Sequence, residues 1–197
     1  MPADTRDLDS VCVFCGSSPQ AAPAWLDAAG RFGRILARDG LRLVYGGGGM
    51  GLMGACARAA HAAGGRVFGV IPAFLTQIEH TLPEVETVVV TSMHERKIRM
   101  FEESEAFVVL PGGIGTLEEV IELMSWRRLG LHAKPIVFYN PDGFWNPLFE
   151  LFARFVDQEL APDWFGVCWT SVRQVEEILP ALRKIERTLT VPTAPDR

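Results

Sequence analysis

Short unbroken runs of apolar residues alternate with longer stretches in which apolar positions recur every three or four residues, from one end of the chain to the other. The runs at 11–15, 41–45, 66–71, 85–90, 106–110 and 135–139 read as strands, with 167–169 as a short last one. The stretches 25–39, 52–63, 92–103, 117–129 and 146–160 read as helices, and a final helix runs from about 171 to 187. Punctuation supports these limits. Gly40 reads as a C-cap, Asn146-Pro147 as N-cap and N1, and Ser171 with Gln174 as a capping box for the last helix, disturbed at Pro180. Residues 73–84 read as a loop or short irregular segment.

Most of the strands are apolar throughout rather than alternating, which is the pattern of strands covered on both faces. Combined with strict strand–helix alternation, this predicts an α/β fold, a doubly wound parallel sheet with helices on both faces. One domain is expected at 10–187, flanked by a flexible N-terminus at 1–9 and a flexible tail at 188–197. In such sheets ligands bind outside the carboxyl ends of the strands. Three glycine- or serine-rich turns, 16–18, 46–51 and 112–116, follow strands and are expected to gather on that edge.

Composition narrows the function. The 197 residues carry a formal net charge of −5, which disfavours a nucleic acid polymer as partner. No apolar run is long enough to span a membrane, and residues 1–9 lack the basic-then-apolar layout of a signal peptide, so a cytoplasmic protein is expected. Cys12 and Cys15 form a C-x-x-C inside a strand, with no second such pair, and read as reduced, buried thiols. The four histidines have no metal-ligand spacing, so neither a metal nor another cofactor is indicated. The three lysines, Lys97, Lys134 and Lys184, come with nothing else that supports a pyridoxal phosphate enzyme.

The densest chemistry lies at 110–119, LPGGIGTLEE, between a buried strand and a helix. Gly112, Gly113 and Gly115 let a ligand approach the main chain, and a helix N-terminus supplies free N–H groups and positive dipole charge. This predicts a phosphate-binding loop at 112–116. Thr116 and Glu119 also fit a capping box, so Glu119 has two readings, acid or cap. Ser92 and Glu95 form a second box, followed at once by Arg96 and Lys97, cations placed against the helix dipole and hence candidates for a site. Residues 46–51 match G-x-G-x-x-G, yet no Asp or Glu stands between Gly40 and Ile78 to hold a dinucleotide ribose. That turn supplies backbone to a smaller ligand or packs helix on sheet.

Together, FCGSS at 14–18, YGGG at 45–48 with GLMG at 51–54, MHERK at 93–97 and PGGIGTLEE at 111–119 resemble the LONELY GUY family, which often carries a lysine decarboxylase label. The resemblance runs from about residue 11 to 182. It implies a Rossmann-like homodimer that hydrolyses a nucleoside 5′-monophosphate, N6-modified or plain adenosine, to free base and ribose 5-phosphate. It makes Arg96 and Glu119 the catalytic pair and Gly112, Gly113, Gly115 and Thr116 the phosphate cradle. Glu79, Lys97, Glu118 and Ser125 fall where that family contacts substrate. One departure bears on base preference and the dimer surface, because Arg128 stands where many members carry glutamine.

Overall fold

The computed structural model describes residues 8–185. Its seven strands form one all-parallel sheet in the order β4-β3-β2-β1-β5-β6-β7. In chain order these are β1 (Ser10–Phe14), α1 (Pro23–Arg38), β2 (Arg42–Tyr45), α2 (Gly51–Ala62) and β3 (Val67–Pro72). Then come α3 (Thr76–Glu79), β4 (Glu86–Val90), α4 (Met93–Glu102), β5 (Ala106–Val109) and α5 (Ile114–Arg128). The chain continues with β6 (Ile136–Tyr139), α6 (Asn146–Asp157), β7 (Thr170–Val172) and α7 (Ile178–Lys184).

The β1 side chains show why the strands are apolar throughout. Val11 and Val13 point into a core shared with α1, α2 and α7, whereas Cys12 and Phe14 point into one shared with α4, α5 and α6. A strand covered on both faces favours apolar residues at successive positions rather than at alternate ones. The same alternation sends Cys12 and Cys15 to opposite faces. Both are free and buried, and burial pushes their thiols well up, so the C-x-x-C is packing rather than a redox pair.

The doubly wound sheet is as expected, but several local features differ. The strand expected at 167–169 lies three residues later, because Trp169 packs against Phe149, Phe152 and Phe165 in the aromatic core. The last capping box is formed by Gln174 and Glu177 rather than Ser171 and Gln174, since Ser171 belongs to β7. A 3-10 turn (Val175–Glu177) therefore precedes α7, and Pro180 falls in the first turn of that helix, where its missing N–H costs nothing. Trp145, not Asn146, is the N-cap of α6. The expected flexible tail at 188–197, the end of the last helix at 186–187 and residues 1–7 of the expected N-terminal segment lie outside the described residues.

Candidate active site

β1 is flanked by β2 on one side and β5 on the other, so the connections leaving β1 and β5 diverge to opposite faces. This is the switch point where parallel sheets open a crevice. The loop after β1 is tied to its neighbours by main-chain bonds. Gly16 N–H donates to Pro111 O (3.1 Å), and Leu52 N–H donates to Gly16 O (2.9 Å). Gly49 N–H donates to Glu79 O (2.8 Å), which brings in the segment after β3. The cavity these loops enclose holds about 300 Å³ and is lined by residues 15–18, Met53, Glu79, Arg96, residues 113–116 and Glu119.

Arg96 from α4 and Glu119 from α5 meet at the base of this cavity, 3.6 Å apart and both more than nine-tenths buried. The second anchor of the guanidinium is Gly46 O, which accepts from Nη2 at 3.2 Å, while Nε has no partner among the described residues. Burial pushes the Glu119 carboxyl up to about 7, against the pull of Arg96 in the other direction and with a further push from Glu118. A carboxyl at that value exchanges protons with water at neutral pH, as a general acid or base must. Glu79 Oε2 is also buried and unpartnered at the cavity edge. The next residue, His80, takes a left-handed backbone (φ 49°), a strain tolerated where the surrounding contacts fix the turn.

The glycines of 46–51 serve these side chains rather than a ligand. A Cβ on Gly46 would collide with the Arg96 guanidinium, and one on Gly48 with the Glu79 carboxylate. The first N–H groups of α2 are taken by Gly16 O, so this helix end offers no open anion site. The turn therefore packs helix on sheet and makes room for Arg96 and Glu79, the second of the two readings left open by the sequence.

The N-terminus of α5 behaves differently. Its first helical bond is Leu117 N–H to Gly113 O (3.0 Å), which leaves the N–H groups of Ile114, Gly115 and Thr116 without helix partners. Nothing stands within 4 Å of a Cβ placed on Gly113 or Gly115. Here the capping-box reading fails. The helix begins at Ile114, its N-cap is Gly113 with no side-chain cap bond, and Thr116 is the third helical residue. Thr116 instead fills the space left by Gly112, where any Cβ would strike its side chain. Glu119, in the second turn, caps nothing. Ser92 does cap α4 by accepting from Glu95 N–H (3.1 Å), but Glu95 reaches back one residue further, to Thr91 N–H (2.8 Å) and Oγ1 (2.7 Å).

Of the residues singled out in the sequence, the cavity gathers Glu79, Arg96, Gly113, Gly115, Thr116 and Glu119, with Gly112 behind them. It does not gather Lys97, Glu118 or Ser125. The Lys97 ammonium is held by the carboxylates of Glu118 and Glu122, the latter at 2.8 Å, on the outer side of α5. Ser125 is exposed further along that helix. Sequence reasoning missed Met53 and Cys15 as cavity walls. Their positions at the mouths of glycine turns were the available signal.

Residues 53–182 match the family described as "Possible lysine decarboxylase". Among curated relatives, the cytokinin riboside 5′-monophosphate phosphoribohydrolase LOG5 of Arabidopsis thaliana is 46% identical over 148 residues, covering 75% of this chain and 65% of the relative. LOG4 of the same plant is 40% identical over 180 residues, covering 91% and 80%. LOG of Oryza sativa subsp. japonica is 44% identical over 152 residues, covering 77% and 61%. The chain thus spans just under two thirds of the length of the first of these, at 65%. Two solved structures share the fold. The molybdenum cofactor carrier protein of Chlamydomonas reinhardtii superposes with a TM-score of 0.69 at 20% identity, covering 91% of this chain and 98% of that one. The molybdenum cofactor binding protein of Rippkaea orientalis does so at 0.67 and 24%, with the same coverage.

Proposed function

The chain belongs to the cytokinin riboside 5′-monophosphate phosphoribohydrolase (LOG) family, and from that premise we propose that it hydrolyses the N-glycosidic bond of an adenosine 5′-monophosphate, N6-modified or plain. The observation that carries the reading is the buried Arg96–Glu119 pair beside a helix N-terminus with free N–H groups. The N–H groups of 114–116 and the Thr116 hydroxyl hold the 5′-phosphate. Binding energy at the phosphate then positions the ribose, and C1′ lies over Glu119.

Breaking the bond from C1′ to the base nitrogen builds positive charge on the ribose. Glu119 in its ionised form stabilises that charge and accepts a proton from the attacking water, whose oxygen becomes the 1-hydroxyl of ribose 5-phosphate. The base leaves with the electron pair of the broken bond and takes a proton from solvent, while Glu119 returns its own to water, so that one water is consumed and no net proton is gained. Arg96, fixed between Gly46 O and Glu119, keeps the carboxylate oriented. Glu79 offers its free oxygen to the ribose or base edge of the substrate. A decarboxylase using a lysine Schiff base is not supported, because Lys97 is held by two carboxylates and the Lys134 ammonium donates to Phe101 O (2.6 Å).

The working unit in this proposal is a homodimer. Ile114 and Ile121 stand exposed among polar residues on the outer face of α5, with Leu129 and Leu131 exposed just beyond it, and apolar side chains rimmed by polar ones mark an interaction surface. The free, buried cysteines suit a reducing cytoplasm.

The test is incubation with AMP and with N6-isopentenyl-AMP, following free base and ribose 5-phosphate by chromatography. Both products are expected from the wild type, with a loss of about a hundredfold or more in Glu119→Gln. Tight AMP binding without any base released would leave a nucleotide-binding module on the same fold.

A further inference from the structure

The exposed positions of α5 follow a regular seam. Ile114, Glu118, Ile121, Ser125 and Arg128 are spaced four, three, four and three apart, which lines them along one face of a helix. This seam is its own complement when run backwards about Ile121. Antiparallel pairing of two copies places Ile121 on Ile121, the Glu118 carboxylate opposite the Ser125 hydroxyl, and Arg128 opposite Ile114. An isologous twofold contact requires that reciprocity.

The two arginines near the end of α5 have different fates. Arg127 is fully buried, and its Nη1 donates to His132 O (3.0 Å). Arg128 is exposed and forms no ion pair among the described residues. Within its own subunit it stands fourteen residues from Ile114, about 21 Å along the helix, out of reach of the cavity. Across a packed helix pair, with axes about 8–10 Å apart, it falls beside the free N–H groups of 114–116.

We propose that Arg128 of the partner subunit completes the phosphate site in trans. Its guanidinium is a fork suited to phosphate oxygens, which the backbone donors of a helix N-terminus contact from the other side. The inference rests on the phosphoribohydrolase and homodimer readings above. It explains why a cation stands at this position and why, among the described residues, the phosphate cradle of one subunit is lined by no cation besides Arg96, which is engaged with Glu119.

The decisive experiment uses heterodimers of the full chain, made by co-expression with two affinity tags and purified over both. One subunit carries Glu119→Gln and the other Arg128→Ala. Acting in trans, the pair reconstitutes one intact site per dimer, with about half the wild-type kcat and the wild-type KM for AMP. Homodimeric Arg128→Ala should raise KM about tenfold with kcat nearly kept, the signature of a ground-state contact. A heterodimer showing only the raised KM would overturn the proposal, as would an Arg128→Ala homodimer with unchanged KM. So would a wild-type chain that is monomeric by light scattering at the concentrations where it is active. Should no nucleotide be turned over, calorimetric AMP affinity of Glu119→Gln with and without Arg128→Ala decides the same question. A tenfold loss supports the contact, and equal affinities remove it, so the two readings fail separately.

Discussion

Glu119 sits where two demands on a carboxyl collide. Removal from water favours the neutral acid, the Arg96 guanidinium favours the anion, and burial wins, leaving the group near 7. If Glu119 must be ionised to take a proton from water, kcat/KM should climb with pH and level off above about 7. Arg96→Gln removes the opposing pull, so the residual activity of that variant should show its limb about one unit higher. A pH–rate profile of both proteins checks this, and a limb that stays in place would detach Arg96 from the ionisation. The sign for stability runs the other way. A folded value raised above the ordinary carboxyl favours the native state below 4.5, and that contribution is lost as pH rises through about 7. Glu119→Gln should flatten the dependence of Tm on pH over that window. Arg96 and Glu119 were both legible as candidates from residue type and spacing. Their contact was not, because it depends on the packing of α4 against α5 across 23 residues of chain.

At the scale of elements, α5 is the instructive case. The run T-L-E-E has the letters of a helix start, yet Ile114 and Gly115 are already helical. The cross-links from Gly16 to Pro111 and from Leu110 to Phe14 fix where the chain enters the turn, and Thr116 then seats itself in the space over Gly112. Tertiary anchoring moved the boundary by three residues, a displacement no local pattern records. β7 moved for a related reason, its expected residues being consumed by the aromatic core around Trp169. The α5 boundary makes a prediction. Were Thr116 a cap, Thr116→Val would cost about 1 kcal/mol of stability. With Thr116 inside the helix and lining the cavity, the proposed phosphate contact predicts that the isosteric change leaves Tm nearly unchanged and raises KM for AMP about tenfold. Thermal unfolding and steady-state kinetics on one preparation separate the two.

For the molecule as a whole, the alternation of apolar runs and helical periods was enough to specify a doubly wound sheet, because continuous apolar strands leave no other way of covering both faces. The strand order, and with it the switch point between β1 and β5, came only with the structure. The outer surface of α5 was also hidden from sequence, since Ile114 and Ile121 stand on it among charged residues and blur the contrast that would mark one face as free. Ile121 lies at the centre of that surface. In the proposed homodimer, replacing it with aspartate puts two like charges on the twofold axis and should give a monomer with little loss of fold. Sedimentation velocity reports the first effect and circular dichroism the second. Base release by such a monomer should fall with the loss of the second subunit.

The vacancies at Gly46 and Gly48 are occupied by side chains that arrive from α4 and from the segment after β3. Arg96 and Glu79 thus surrender their rotamer freedom when the chain folds, before any nucleotide is present. An arginine and a glutamate on an open surface would give up that freedom on binding instead, weakening every encounter. The glycine turn therefore acts on the thermodynamics of binding. Under the proposed function it shifts an ordering cost from the Michaelis complex to the folding reaction, and it does so without touching the substrate.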